Sequence, residues 1–426
     1  MRLWALVSLA ACAASFPSFN AHSHRKIKKC PLQEIQAELL DQLKVQQHEK
    51  RTVDEPVDIT GEHAFYPPDF ENGDQRGPCP GLNALANHGY IPRNGVTSAI
   101  YGMGIDLALL LATMGTVWTG NPLSINPSFS IGARDTGVNN LLGNGLGLLG
   151  EPQGLNGSHN FVESDSSNTR NDLYVTGDAS TLNTTLFQEW YASFNDDGTF
   201  TMDMMADRAA LRFHQSKASN PDFYYGPVTG LFARNAGFVF PLRMFSNNSA
   251  DQPEGVLTQE VARNFFGIYE NEPGVLTYSS GCERIPENWY RRSTDYGLLN
   301  LNIDLLGWAA KHAELASIGG NTGTVNSFAG IDLSDLTGGV LNLTTLLEGN
   351  NLLCFVFQVL KVASPNALAG IYQTLAVPLD LITKAVAMPL LDLACPVFED
   401  MKLGGKPAWE ALQELFPGAL KSASVL

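Results

Sequence analysis

The sequence has few basic residues for its length. Its 426 residues contain 27 Lys and Arg against 43 Asp and Glu, which gives a formal net charge of −16. A surface with this excess of negative charge repels phosphate backbones and anionic lipid headgroups. The composition therefore argues against nucleic acid or a membrane surface as the main partner.

Alternating strand patterns are also scarce, and the chain shows no internal repeat or low-complexity tract. Apolar residues at helical spacing dominate instead, as in 202–215, 258–269 and 289–316. Two glycine-rich stretches, 131–154 and 317–330, are predicted as loops, because neither lies between a strand and a helix as a dinucleotide-binding turn must. With 44% hydrophobic residues available for a core, we expect a mostly α, single-domain fold.

The N-terminus has the layout of a secretory signal peptide. Residues 1–21 contain one arginine, a short apolar run and small residues, and that run is shorter than the roughly 20 residues of a membrane-spanning helix. The stretch 22–51 is basic and polar and ends in the dibasic pair Lys50-Arg51, which is typical of a pro-segment with a processing site. We expect a protein that is secreted or resides in the secretory lumen, has no membrane anchor, and has its catalytic domain at 52–426.

Secretion has consequences for asparagines and cysteines. Four Asn-x-Ser/Thr sequons are candidate glycosylation sites: Asn156, Asn183, Asn247 and Asn342. An oxidising compartment favours disulfides, and we pair Cys354 with Cys395 because each lies beside an apolar helical stretch. Cys282 then has no partner except Cys79.

The segment 76–95, RGPCPGLNALANHGYIPRNG, contains the strongest local signal. Pro80 suits the first turn of a helix that continues to His88, and Gly89 ends it. Cys79 is thereby placed at a helix N-terminus, where unpaired N–H groups and the helix dipole favour a thiolate over a thiol. This pattern fits a metal-binding thiolate and an ordinary buried or disulfide-bonded cysteine equally well.

The same segment closely resembles, without a gap, the proximal motif of the fungal haem-thiolate peroxidases, the chloroperoxidase and unspecific peroxygenase family. The resemblance covers about 65–268 and includes NTTLF at 183–187 and FVFP at 238–241. It implies haem b bound through the Cys79 thiolate, hydrogen peroxide as a substrate and a small organic molecule as the other. The spacing of Cys354 and Cys395 is also similar to that of the peroxygenase disulfide.

A second stretch, 158–172, resembles the Glu-x-Asp element with which this family holds a divalent cation beside a haem propionate. Here the element reads Glu163-Ser164-Asp165, with Ser167 at the hydroxyl position. The resemblance implies that the Glu163 carboxylate, the Ser164 main-chain carbonyl and the Ser167 hydroxyl bind the cation. Such hard oxygen ligands suit Mg²⁺ and also fit Mn²⁺. Taken alone, the acidic stretch would be interpreted as a solvated loop.

The distal acid–base residue of the family is missing from this sequence. Splitting a peroxide on haem requires a group that accepts and returns a proton. The family uses a Glu ahead of the FVFP segment, assisted in the peroxygenases by an Arg one helical stretch earlier. Alignment on 240–241 places Gly237 at the Glu position and Gly230 at the Arg position, and 223–250 contains no Asp or Glu.

Arg234 and Asn235 lie on the same predicted helix and are weak candidates for polarising a peroxide by charge and hydrogen bonding, although Arg cannot act as a base at neutral pH. His214 is the nearest imidazole in sequence and is expected on a helix surface. The catalytic residue therefore stays unknown. We expect the haem to lie between the Cys79 helix and a helix near 226–245.

Two hypotheses for function remain at this point. The first is a peroxidase or peroxygenase that uses hydrogen peroxide to oxidise a small organic molecule, for instance in fungal secondary metabolism. The second is a haem-thiolate protein that lacks peroxide cleavage and has non-peroxide chemistry or a ligand-binding role. Turnover of peroxide distinguishes the two.

Overall fold

The computed structural model describes residues 55–98, 153–346 and 401–426, together with short pieces at 107–108, 111–112, 114–115, 119–120, 128–134, 351–352, 354–356 and 358–359. The predicted signal peptide, the predicted pro-segment, Cys395 and most of the glycine-rich stretch 131–154 lie outside these residues. Within them helices dominate and strands are short, which confirms a mostly α fold. None of the described helices is long and apolar enough to cross a membrane.

The described α-helices are Pro80–Asn87, Leu173–Thr176, Thr184–Tyr191, Met202–Ser219, Asn235–Phe240, Gln259–Phe265, Leu298–Lys311, Leu333–Leu336, Leu343–Leu346, Ala408–Leu415 and Pro417–Ser422. Four 3-10 turns accompany them at Gly61–His63, Phe70–Asn72, Leu155–Gly157 and Ala313–Ala316. Two π-helical segments, Thr229–Arg234 and Pro241–Phe245, flank Asn235–Phe240.

The strands of the described residues form small antiparallel sheets. The pairs are Val96–Thr97 with Phe129–Ser130, Thr199–Phe200 with Leu257–Thr258, Ile268–Glu272 with Val275–Tyr278, and Lys402–Leu403 with Lys406–Pro407. One sheet has three strands, with Gly319–Gly320 between Tyr224–Tyr225 and Ala329–Gly330.

The three-stranded sheet corrects the prediction that 317–330 is only a loop. Two short strands lie at the ends of this stretch and pair with each other. Glycine makes the pairing possible, because a Cβ on Gly319 would stand only 2.1 Å from the carbonyl oxygen of Ala329. The glycines that suggested a flexible loop therefore permit close contact between backbones.

Of the two longest described helices, one begins where the sequence predicts and the other begins later. The Thr201 hydroxyl accepts a hydrogen bond from the Met204 N–H and caps Met202–Ser219, which agrees with the predicted helix. The helix predicted over 289–316 begins only at Leu298, after Gly297, so its first third was wrong.

The continuous helical segment 229–245, here called the central helix, packs against Met202–Ser219 and Leu298–Lys311. Pro241 lies within it, and proline cannot donate the backbone hydrogen bond that a regular α-helix requires, which accounts for the π-helical turn that follows. The buried side chains Phe232, Phe238 and Val239 anchor the central helix in the main hydrophobic core. This packing holds one wall of the site described below.

The structure distinguishes among the predicted glycosylation sites by exposure. Asn156 and Asn342 are exposed, whereas Asn183 and Asn247 are half-buried and donate their side-chain amides to Asn171 and to the Asn288 carbonyl. Occupancy of all four sites stays a prediction.

Cys354 is buried and disulfide-bonded. Its predicted partner, Cys395, lies outside the described residues, so that pairing also stays a prediction.

Candidate active site

An apolar cavity of about 340 Å³ lies between the Cys79 helix, Pro80–Asn87, and the central helix. Its volume falls within the range of small-molecule sites in proteins. Six residues singled out in the sequence line it: Cys79, Glu163, Ser164, Ser167, Arg234 and Gly237. The fold therefore brings the thiol, the acidic element and the central helix to one place.

Cys79 is the N-cap residue of its helix, with Pro80 in the first turn, as predicted. Burial raises the pKa of the Cys79 thiol, while the backbone N–H groups of Leu82 and Gly81 and the charge of Arg170 act in the opposite direction. Cys79 and Cys282 are both free, so the two do not form the disulfide that was left open. The sulfur faces the cavity and is available as a ligand.

Two asparagines fix the Cys79 helix in place. The Asn83 side chain bonds both the N–H and the carbonyl of Gly77, at 3.0 and 2.9 Å, and donates to Glu283 Oε1 at 3.0 Å. Asn87 Nδ2 donates to the carbonyls of Gly281 and Glu283 at 2.7 and 2.8 Å. The loop before Cys79 and the loop at 281–283 are thereby bound to one helix, which sets the position of the sulfur.

Glu283 is a fully buried carboxyl behind this helix. Within the described residues its Oε1 accepts a hydrogen bond, whereas its Oε2 has no partner. Burial raises the pKa of Glu283, and Asn83 and Arg170 oppose that rise. Glu283 was not predicted from the sequence, although Asn83 and Asn87, one turn apart on an apolar helix, were a signal that a polar partner lies opposite.

The acidic element contains a buried charge cluster. Glu163 Oε2 lies 2.6 Å from His159 Nδ1, and Asp165 Oδ1 lies 3.5 Å from His159 Nε2. Burial lowers the pKa of His159, yet Glu163 and Asp165 outweigh it and raise the pKa to about 9, so the imidazole carries a positive charge at neutral pH. The element is therefore an ordered part of the core rather than a solvated loop.

Glu163 keeps one oxygen for a ligand. Its Oε1 is buried and has no hydrogen-bond partner among the described residues. The Ser164 hydroxyl donates to the Thr229 carbonyl at 3.2 Å, and the Ser167 carbonyl accepts from Arg212 Nε at 2.8 Å. No group of three or more His, Cys, Asp or Glu in the described part of the chain could hold a metal, so a cation here needs carbonyl, hydroxyl and non-protein oxygens.

Arg170 lines the same cavity and is almost fully buried. It donates from Nη1 to the Thr169 hydroxyl at 2.8 Å, while Nε and Nη2 are buried and have no hydrogen-bond partner among the described residues. Unmet donors of a buried guanidinium are costly, so a negative group in the cavity would stabilise Arg170. Haem fits this donor set, because a propionate would satisfy Arg170 and a divalent cation beside the other propionate would satisfy Glu163 Oε1.

The two candidates on the central helix differ in what their side chains contact. Arg234 lines the cavity, but Nε and Nη2 donate to the Ser166 carbonyl, Nη2 also to the Ala209 carbonyl, and Nη1 to Asn235 Oδ1. Asn235 donates to the Leu315 carbonyl at 2.9 Å and is not among the lining residues. Arg234 thus has hydrogen-bond partners within the protein, and the role of either residue in polarising a peroxide stays a prediction.

The two glycines at the family's distal positions also differ. Gly237 lines the cavity, and a Cβ built there would meet nothing within 4 Å. Gly230 is packed on Tyr225, whose backbone carbon would lie 2.7 Å from a Cβ. His214, by contrast, lies on the surface as expected, 3.0 Å from Glu314.

Comparison with known proteins places these features in a family. The sequence model of the family described as "Peroxidase, family 2" matches residues 63–294. The chain is 52% identical over 434 residues to the aromatic peroxidase fscJ of Fusarium equiseti, with 99% of each chain covered. It is 38% identical over 351 residues to the dothistromin biosynthesis peroxidase dotB of Dothistroma septosporum, covering 80% of this chain and 82% of that protein. An aromatic peroxygenase of Coprinellus radians is 33% identical over 229 residues, 49% of this chain and 83% of that protein.

Proposed function

We propose that this chain binds haem b through the Cys79 thiolate and oxidises a small aromatic molecule. It belongs to the fungal haem-thiolate peroxidase family and is a peroxide-dependent oxidoreductase acting on an organic substrate. The observation that carries the proposal is the single cavity that joins a free thiol at a helix N-terminus, the unpartnered Glu163 oxygen and Gly237.

The residues that would hold the haem divide into two groups. On the side of the sulfur, the N–H groups of Gly81 and Leu82 stabilise the thiolate, and the two Asn side chains of the helix fix its position. On the propionate side, Arg170 offers two N–H groups. The bound haem would supply the oxidising chemistry, and the protein would supply its ligand, its orientation and the electrostatics around it.

We place a Mg²⁺ or Mn²⁺ ion between a propionate and the acidic element. Glu163 Oε1, the Ser164 carbonyl and the Ser167 hydroxyl would bind it, as the family resemblance implies. His159 fixes the other oxygen of Glu163, so the carboxylate already points one oxygen into the cavity.

The distal wall supports peroxide chemistry without the usual Glu. Burial lowers the pKa of Arg234 to about 10, so the guanidinium keeps its proton at neutral pH and stabilises negative charge in the cavity. Gly237 leaves open space at the position of the missing carboxylate, since a Cβ there would meet nothing within 4 Å. The names of the relatives favour peroxidase activity over the ligand-binding hypothesis.

The biological setting is inferred from sequence and relatives together. We infer a signal peptide at 1–21, a pro-segment at 22–51 and one catalytic domain at 52–426, in a glycosylated and secreted enzyme. The likeness to a dothistromin biosynthesis peroxidase supports a tailoring step in fungal secondary metabolism.

The test is the reduced, carbon-monoxide-bound absorption spectrum of the secreted protein, compared with Cys79→Ser and Cys282→Ser. Cys282 is the matched control, because it is also free but does not line the cavity among the described residues. A strongly red-shifted Soret band that is lost in Cys79→Ser and kept in Cys282→Ser supports thiolate ligation. The same band in all three proteins would contradict it, and peroxide that only bleaches the haem would contradict the proposed activity.

A further inference from the structure

The cavity wall carries an unusual concentration of positive charge. The charged residues that line it among the described residues are five arginines and two carboxylates: Arg170, Arg234, Arg243, Arg291, Arg292, Glu163 and Asp295. The chain as a whole has a net charge of −16. An excess of arginine at one cavity of an acidic protein concentrates anions there.

Three of the five arginines have identifiable tasks. Arg243 forms a bidentate pair with Asp304, at 2.7 and 2.8 Å, so its charge is matched. Arg234 is bound to backbone carbonyls of the acidic element and of Met202–Ser219. Arg170 has buried donors beside the proposed propionate site. The other two arginines, Arg291 and Arg292, have no such role.

Arg292 is under-bonded in a half-buried position. Its Nε is buried and has no hydrogen-bond partner within the described part of the chain, and its guanidinium carbon lies 5.6 Å from the centre of the Tyr296 ring. Arg291 beside it is exposed, and Asp295 on the same wall offsets one of the two charges. With Arg243 matched by Asp304, four arginines and two carboxylates remain on the wall among the described residues, and two propionate charges would balance them. The reason to expect a further anion is therefore the buried Arg292 Nε, which has no hydrogen-bond partner among those residues.

Apolar and aromatic side chains accompany this charge. Met244, Phe245 and Trp289 line the same cavity, and the Trp289 N–H donates to the Phe245 carbonyl at 2.7 Å, which fixes the indole. A rigid aromatic surface next to a guanidinium with an unused buried donor among the described residues suits a flat ring that bears a negative group.

We propose that Arg291 and Arg292 form an anion-binding subsite and that the substrate is an aromatic acid or phenolate. The inference rests on the proposed function, since it names the substrate class of the same cavity. The negative group binds the guanidinium pair while the ring lies against Phe245 and Trp289. Arginine is suited to this task because its planar fork binds a carboxylate through two hydrogen bonds.

The test uses two probes of the same shape, 2-naphthoate and 2-naphthamide, in equilibrium dialysis with the secreted holoprotein. We expect the wild type to bind the anion roughly tenfold more tightly, as for one half-buried charge-assisted contact, and salt to weaken only the anion. The double variant Arg291→Gln, Arg292→Gln loses most of this preference. Arg263→Gln is the matched control and keeps it, since Arg263 pairs with Glu270 and does not line the cavity.

Arg292→Lys separates charge from shape. It retains part of the preference if charge attracts the anion, and complete loss of the preference counts against the proposal. Equal binding of both probes by the wild type, or an unchanged preference in the double variant, overturns it. A missing thiolate Soret band in the same samples would refute the proposed function instead, and the difference between the wild type and the double variant would still report whether Arg291 and Arg292 bind the anion.

Discussion

Replacing Arg170 with methionine should change haem binding and haem-free stability in opposite directions. Arg170 is almost fully buried, and among the described residues the one hydrogen-bond partner of its donors is the Thr169 hydroxyl, which accepts from Nη1. In the holoprotein, Arg170→Met removes the proposed contacts of Nε and Nη2 with a propionate. In the haem-free protein, it removes two buried donors that have no partner.

The magnitudes follow from these contacts. A hydrogen bond involving a charged group contributes about 1.5–3 kcal/mol, so loss of the propionate contact weakens haem binding by about 10- to 100-fold. Each unsatisfied buried donor costs about 1–3 kcal/mol, so its removal stabilises the haem-free protein. Loss of the Thr169 hydrogen bond and of the attraction to Glu283 offsets part of this stabilisation. The haem-free variant should therefore be more stable than the haem-free wild type by about 1 kcal/mol.

Two assays measure the two effects. Transfer of haem from the holoprotein to excess apomyoglobin reports the rate of haem loss, and urea unfolding of haem-depleted protein reports the free energy of unfolding. Arg208→Met is the matched control, because Arg208 is equally buried but bonded through all three nitrogens, to Asn168, Leu186 and Glu189.

The control should lose about 3 kcal/mol of stability and keep its rate of haem loss, since Arg208 does not line the cavity. If Arg170→Met destabilises the haem-free protein as Arg208→Met does and leaves haem loss unchanged, then Arg170 is an ordinary structural arginine and the reasoning is refuted.

Three further predictions concern proton transfer, pH and glycosylation. Gly237→Glu should accelerate oxidation of the resting haem by peroxide about 100-fold in stopped-flow measurements at neutral pH, and equal rates in Gly237→Gln would show that acid–base chemistry is not the cause. Burial raises the pKa of Glu283 above its ordinary 4.5, so this carboxyl adds stability below pH 4.5 that is lost as pH rises through the folded pKa. The stability gain of Glu283→Gln over wild type should accordingly grow with pH in thermal unfolding, and a gain that stays constant would contradict this account. Asn156→Gln should increase electrophoretic mobility more than Asn247→Gln, because Asn156 is exposed, and the reverse order would show that exposure does not control occupancy.

The Cys79 helix could be predicted because its determinants are local. A proline in the first turn and a glycine after the last one define a helix within about ten residues, and each acts through its own backbone conformation. The structure places the helix at Pro80–Asn87, with Gly89 in the left-handed region at φ 71°. The position of the cysteine at the N-terminus followed directly from these local rules.

The partners of that helix could not be predicted in the same way. Glu283 lies 200 residues from Asn83 in sequence, so only the tertiary fold brings the two together. Arg170 is missed for a related reason, because a buried arginine and an exposed one look the same in a sequence. Burial and missing hydrogen bonds identify its role, and both are properties of the folded chain.

The wrong start of the helix predicted at 289 shows a tertiary contact overriding local periodicity. The Trp289 indole donates to the Phe245 carbonyl, and the Asn248 N–H donates to the Tyr290 carbonyl, so this segment is held in a non-helical form beside the end of the central helix. Arg291 and Arg292 follow immediately and line the cavity. Their place in the cavity wall thus depends on the contact that prevents the helix.

The two glycines of the central helix differ in the space available for a side chain, and the difference bears on how the site works. Gly230 has no room for a side chain, because Tyr225 packs against its backbone at 2.7 Å from a Cβ position. A large residue there would displace Tyr225, whose hydroxyl bonds Asn235 and the Leu315 carbonyl. Gly237 has open space above it, so the fold does not forbid a carboxylate there. The absence of the family's Glu is therefore not imposed by packing, and the free volume it leaves adjoins the cavity.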